Sequence, residues 1–188
     1  EKVEKINLMG YSEGGLIAQC FLREQPSLIN KIILAHTFFP SPENKYYKYD
    51  FNLFRRLPGS ITELIFNALA KPDKEELHHK SIEWLAWLKA YFKELKSSLT
   101  KEKILTHIDL IINFSRNYSF HPDDLTDWHG DMLITVSEDD VVFRYFSGLK
   151  TLYPFAQTHI FDKDQGAHSI ALITPKVFNE RIRSFLEN

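Results

Sequence analysis

Residues 6–19 read INLMGYSEGGLIAQ, and the order in which apolar, glycine and apolar-periodic residues follow one another there decides the fold. Ile6 to Met9 is a short apolar run of the kind that forms a buried strand, and Gly10 to Gly15 is a tight turn. Leu16 to Glu24 is a helix, with Leu16, Ile17, Cys20 and Phe21 spaced for one buried face and Pro26 beyond its end. Lys31 to Ala35, KIILA, is a second buried strand. Strand, helix and strand within about 30 residues make a βαβ unit, which requires parallel pairing and a helix laid over the sheet. The class is α/β, a mostly parallel sheet flanked by helices.

Within the turn, Gly10-Tyr11-Ser12-Glu13-Gly14 matches Gly-x-Ser-x-Gly, with Gly15 adjoining, so three of the chain's seven glycines are spent in six residues. A serine lifted above a sheet on a strained turn needs small neighbours, because side chains at the two glycines would collide with the strand and the helix. Ser12 is the candidate nucleophile. A plain βα turn containing a serine is the alternative.

Outward from this unit, the strand signals vanish from Phe38 to Leu125 and helix signals replace them. Ser60-Ile-Thr-Glu63 is a capping box for a helix to about Ala70. Asp73 caps a long helix carrying Leu77, Trp84, Leu85, Leu88, Tyr91, Phe92 and Leu95, and Thr100 opens another through Ile104, Leu105, Ile108, Ile111 and Ile112. The α/β pattern then resumes. Met132 to Val136 is a strand, Ser137 to Asp140 a turn, Arg144 to Tyr153 helical, Thr158 to Phe161 a strand, and a loop runs through His168. A closing helix from Thr174-Pro175 to Leu186 takes Thr174 as its cap. This predicts a core of residues 1–37 and 126–188 with a helical insertion over 38–125.

A serine hydroxyl becomes a competent nucleophile when a histidine takes its proton and a carboxylate fixes that histidine's tautomer. Asp139 and Asp140 follow a predicted strand directly, at the C-terminal edge of the sheet that carries Ser12, where ligands bind in open α/β folds. His168 follows the next strand. Taken singly, a solvated acidic turn and a surface histidine are the ordinary fates of such residues.

The chain resembles the α/β-hydrolase superfamily in its cap-bearing esterase, lipase and C–C hydrolase branch. INLMGYSEGGLIAQ resembles the nucleophile elbow, MLITVSEDDVV at 132–142 the acid-bearing strand and turn, and DQGAHSIALITPKVFNERIRSFL at 164–186 the histidine loop and last helix. The resemblance implies a serine hydrolase cleaving a carboxylic ester or related acyl bond through an acyl-enzyme on Ser12. His168 would be general base and then acid, Asp140 the orienting carboxylate, and the backbone amide of Glu13 one oxyanion donor. Ser137-Glu-Asp-Asp140 matches the family's GxxD turn with serine for glycine, which favours Asp140 over Asp139, and Ala167 stands where many relatives have glycine. Acyl transfer on the same triad and a non-catalytic small-ligand-binding module on the same fold are the rival readings.

Relatives carry several strands, a helix and a second oxyanion donor before the elbow. The chain is therefore read as N-terminally truncated, with a sheet edge left uncovered through which it is expected to self-associate. His129-Gly130 resembles the oxyanion pair but lies before the wrong strand. Tyr11, Phe38, Phe39, Trp84 and Trp87 are candidate substrate contacts for a small, partly apolar molecule, and with Tyr46, Tyr47, Tyr49, Tyr91 and Phe92 they serve equally well as packing. His78-His79 lack the spacing of a helical metal pair, and His121-Pro-Asp-Asp124 reads as a loop and helix cap. No metal and no cofactor is expected.

The remaining composition excludes more than it assigns. The 188 residues hold 23 Lys and Arg against 25 Asp and Glu, a net charge of −2, so nothing marks a nucleic-acid partner. The single cysteine, Cys20, permits no intrachain disulfide and fits a reducing, cytoplasmic setting. No apolar run reaches the 18 or so residues of a membrane span, and the first residues have no signal-peptide pattern.

Overall fold

The computed structural model describes residues 4–40, 55–59, 82–98, 100–163 and 165–188. In chain order these form β1 (Ile6–Tyr11), α1 (Glu13–Glu24), β2 (Ile29–Ala35), α2 (Ile82–Ser98) and α3 (Lys101–Asn117). β3 (Asp131–Ser137), α4 (Phe146–Leu152), β4 (Gln157–Phe161), α5 (Ile170–Ile173) and α6 (Pro175–Glu187) follow. The capping box at Ser60–Glu63, Asp73, the His78-His79 pair and Tyr46, Tyr47 and Tyr49 lie outside the described residues. The chain divides into two compact units, Glu1–Pro40 with Tyr118–Asn188, and Ser41–Asn117.

In the first unit the four strands pair in the order β1-β2-β3-β4, all parallel. β2 and β3 are central and read as nearly continuous apolar runs because a parallel sheet is covered on both faces. Ile32, Ile33, Leu34, Met132, Leu133 and Ile134 are all fully buried. Ile33, Ala35, Leu133 and Phe161 form one core cluster with Ile170 of α5 and Phe178 and Phe185 of α6. By strand alternation Ile32 and Leu34 face the other layer.

The register places Tyr11 beside Ala35, Ala35 beside Thr135, and Ser137 beside Phe161, so the four strands end along one edge. Pairing continues one residue past three of them. Ser12 N–H donates to the Ala35 carbonyl at 3.0 Å, His36 N–H to Thr135 at 2.8 Å, and Glu138 N–H to Phe161 at 3.2 Å. The residue that follows each of β1 and β2 is thus pinned at the C-terminal edge of the sheet.

Five expectations change. β1 is not buried: it is an edge strand with one neighbour among the described residues, and Ile6 and Met9 are exposed. The helix begins at Glu13, so the turn shrinks to Ser12 alone. Ile17 is 51% exposed, because the buried stripe of α1 runs through Gly15, Leu16, Ala18, Gln19, Cys20 and Leu22. The loop through His168 contains a 3₁₀ turn at Ala167–Ser169 and the short helix α5. Thr174 precedes α6 as expected, but its hydroxyl donates to the Gln165 carbonyl and closes this loop instead of capping the helix.

Gln19 shows how the unit is cross-tied. It is fully buried, its amide donates to the carbonyls of Gly15 and Phe38 at 2.9 and 2.8 Å, and its oxygen accepts from Tyr153 at 2.9 Å. Arg23 donates to the Tyr153 hydroxyl and to Asp124, and lies 3.7 Å over the Phe120 ring. Asp124 also caps the 3₁₀ turn Pro122–Leu125 from His121, as its sequence predicts.

In the second unit, Leu88 of α2 and Ile104 of α3 are buried, and Arg55 pairs with Asp109. The rings of Trp84, Trp87 and Tyr91 form a row along α2, with Trp87 half exposed. No helix among the described residues is long and apolar enough to cross a membrane.

Candidate active site

Ser12 occupies the single residue between β1 and α1, with φ 53° and ψ −124°, a conformation rare for any residue other than glycine. Its carbonyl accepts from Thr37 Oγ1 at 2.5 Å and from Gly15 N–H at 3.0 Å, and these bonds with the Ala35 contact hold the strain. The glycines divide unequally. A Cβ at Gly10 would sit 2.6 Å from the Gly14 carbonyl oxygen and from Gly15 Cα, and one at Gly15 would sit 2.2 Å from Thr37 Oγ1. One at Gly14 meets nothing within 4 Å, so the requirement for a small residue expected there falls instead on Gly15.

His168 lies on the 3₁₀ turn after β4, reached through Gly166 at φ 116° and Ala167 at φ 43°. The Tyr11 hydroxyl donates to the His168 carbonyl at 2.6 Å, and Ser137 Oγ donates to the Ala167 carbonyl at 3.2 Å. The imidazole then stands with Nε2 2.8 Å from Ser12 Oγ and Nδ1 3.0 Å from each carboxylate oxygen of Asp140. The His168 side chain is 38% exposed while that of Asp140 is fully buried. Asp139, one residue earlier in the same turn, is exposed.

A carboxylate only accepts, so the His168 Nδ1 carries a proton, and in the neutral ring Nε2 presents its lone pair to the Ser12 hydroxyl. Asp140 is further held by the Val142 N–H at 3.0 Å to Oδ1 and by a second imidazole, His36, whose Nδ1 donates to Oδ2 at 2.6 Å. Burial by itself would raise the Asp140 carboxyl. The hydrogen bonds from His168 and His36, with the neighbouring His168 charge and the Val142 amide, outweigh it and hold the carboxyl down at about 2.

His36 is absent from the sequence-based candidates. The signal that finds it is a polar residue ending a buried strand, KIILAH, at the sheet edge between the strands that carry Ser12 and Asp140. The donor atoms of His36, Asp140 and His168 all lie within 4.8 Å of one another, a set of metal-ligand type. The same atoms are engaged in direct histidine–carboxylate hydrogen bonds, and an ion about 2.0–2.2 Å from each would displace those protons.

The remaining candidates are placed as follows. Tyr11 packs beneath the histidine loop, stacked on His36 at 5.3 Å and edge-on to His168 at 5.9 Å, and burial with the Asp140 charge raises its phenol well above the ordinary range. Glu13 follows Ser12 as the first residue of α1. Phe38 is buried against Tyr145, and Phe39 lies against Gly148. Trp84 and Trp87 belong to the other unit. His129 is exposed.

No protein-family model matches the chain. It is 22% identical to RutD of Agrobacterium fabrum (strain C58 / ATCC 33970), named as a carbamate hydrolase, over 98% of this chain and 68% of that protein. Among solved structures it is similar to a thermophilic esterase from Thermogutta terrifontis, with a TM-score of 0.70 and 16% identity over 98% of this chain and 65% of that one. The esterase of Exiguobacterium antarcticum gives 0.69 and 19% over 98% and 67%. An α/β hydrolase from a Medee basin deep-sea metagenome library gives 0.67 and 19% over 99% and 66%. The chain thus spans 65 to 67% of the length of these solved structures. The parallel sheet order, with a serine turn after its first strand, and these likenesses together give the chain the α/β-hydrolase fold.

Proposed function

We propose that this chain is a serine hydrolase that cleaves a carboxylic ester or related acyl bond of a small, partly apolar substrate through an acyl-enzyme on Ser12. The observation that carries this reading is the hydrogen-bonded series from Ser12 Oγ through His168 to Asp140, at 2.8 and 3.0 Å. In the proposed reaction His168 Nε2 takes the Ser12 proton as Oγ bonds to the acyl carbon. The Glu13 amide faces the developing oxyanion, a kind of donor that contributes roughly 3 to 4 kcal/mol in other enzymes. His168 then returns the proton to the leaving heteroatom, and water, deprotonated by the same imidazole, releases the acid. Asp140 stays ionised and fixes the tautomer.

The names of the relatives support an acyl carbonyl bearing a leaving oxygen or nitrogen, since esters and carbamates share that group. The segment 38–125, which lies between β2 and β3 in the chain and includes α2 and α3, is the proposed cap. Its aromatic residues suit an apolar acyl portion.

The test is intact mass after incubation with a fluorophosphonate, beside Ser12→Ala. One adduct that disappears in the variant is the expected result. A folded chain that takes no adduct, or keeps it in Ser12→Ala, overturns the proposal for this chain.

A further inference from the structure

We propose that His36 is a positioning residue for this site, a neutral imidazole whose Nδ1–H shares the Asp140 carboxylate with His168 and so lowers the basicity of His168. The inference rests on the reading of Ser12, His168 and Asp140 given above. Its observations are separate ones.

His36 is fully buried and sits at φ 49°, one of three non-glycine residues with positive φ among the described residues; the others are Ser12 and Ala167. All three lie at this site. The His36 ring is held between Tyr11, stacked at 5.3 Å and 15°, and Phe161, at 6.0 Å and 18°, with Phe178 at 6.4 Å. The strain places its Nδ1 2.6 Å from Asp140 Oδ2, shorter than either His168 contact. Its Nε2 is buried and makes no hydrogen bond among the described residues.

That asymmetry fixes the protonation state. The carboxylate requires a proton on Nδ1, and a second proton on Nε2 would leave a buried cation with an unsatisfied donor between aromatic faces. His36 is therefore neutral. The titratable groups that face the two imidazoles are Tyr11 from β1, Asp140 from the turn after β3, and each other, at 6.2 Å. Asp140 is the one carboxylate among them. A neutral donor on that carboxylate takes up part of its charge, so the His168 imidazolium is stabilised less than an undivided carboxylate would stabilise it. More His168 is then neutral, and able to accept the Ser12 proton, at a given pH.

The experiment compares the full chain with His36→Phe, which keeps a ring between Tyr11 and Phe161, and His36→Asn, whose side-chain NH₂ can replace Nδ1–H and which tolerates positive φ. Ring ¹⁵N shifts of the wild-type protein report tautomer and titration directly. His36 is expected as the Nδ1–H tautomer, with no proton on its unpartnered Nε2. The acid limb of the Ser12 labelling rate is expected to move up by roughly half to one pH unit in His36→Phe and to return in His36→Asn. A His36 found protonated on Nε2 overturns the proposal, whatever the variants do. So does an unmoved acid limb in a folded His36→Phe, since a purely structural residue would leave that limb in place. If Ser12 takes no label, the His168 ¹⁵N titration gives the same comparison, and the hydrolase reading fails separately.

Discussion

The His168 Nδ1 lies 3.0 Å from both carboxylate oxygens of Asp140, so one N–H is shared across the whole carboxylate. Asp139, the neighbour that sequence leaves in contention, is exposed on the same turn. Asp140→Asn presents an amide where His168 needs an acceptor and invites the wrong tautomer. Labelling of Ser12 and turnover of an activated ester are expected to fall by about 10⁴-fold. Asp139→Asn is expected to stay within about twofold, as an exposed substitution does. Second-order labelling rates of the two variants check the assignment, and equal losses would sink it.

The glycines of the elbow make a second, structural prediction. Gly10→Ala drives a Cβ to 2.6 Å from backbone atoms of Gly14 and Gly15, which cannot swing aside as a side chain can. A loss of about 2 kcal/mol or more is expected. Gly14→Ala enters open space on the first turn of α1 and is expected to stabilise by roughly 0.5 to 1 kcal/mol through lower chain entropy. Thermal melting of the pair decides it. A destabilised Gly14→Ala would mean that the second glycine of the motif serves something other than packing.

These contrasts mark what a one-dimensional reading reaches. Ser12, Asp140 and His168 are legible because each follows an apolar run that can be recognised as a strand, and parallel strands put their following residues on one edge. His36 follows such a run too, yet no motif marks it, and its role depends on β2 lying between β1 and β3, which spacing does not reveal. Ile17 misleads because helical periodicity gives a stripe without its centre. Thr174 has the residue type of a cap but spends its hydroxyl on Gln165, a contact nine residues back that only the folded loop creates.

Asp140 also predicts how stability depends on pH. Its folded carboxyl is held at about 2 against an ordinary value of 3.8, so the folded state binds that proton less readily than the unfolded chain. The sign follows: the stabilisation is complete above about pH 4 and is lost as pH falls toward 2. At roughly 1.4 kcal/mol per unit it amounts to about 2 kcal/mol. Denaturant unfolding between pH 6 and 2 is expected to show that loss in the wild-type chain and a shallower one in Asp140→Asn. Parallel curves would assign the acid sensitivity to other carboxylates.

The last prediction concerns Tyr11, whose hydroxyl reaches from the strand before the nucleophile to the His168 carbonyl at 2.6 Å. This single bond couples the two loops that must stay within 2.8 Å of each other at Ser12 Oγ and His168 Nε2. Tyr11→Phe keeps the ring that stacks on His36 and removes only the donor, so the core should survive intact. A stability loss of about 1 kcal/mol is expected, since a part-buried carbonyl is left to find another partner. The larger effect should be local. With its tether gone, the 3₁₀ turn at Ala167–Ser169 keeps the Ser137 hydroxyl, its backbone bonds and the His168 side-chain contacts to Asp140 and Ser12, and its amides are expected to exchange faster while those of β2 and β3 do not change. Ser12 labelling should slow by a few-fold, because the imidazole spends less time aligned. Unchanged exchange at residues 167–169 would show that the loop is held by its own geometry, and Tyr11 would then be left as a packing residue beneath His36.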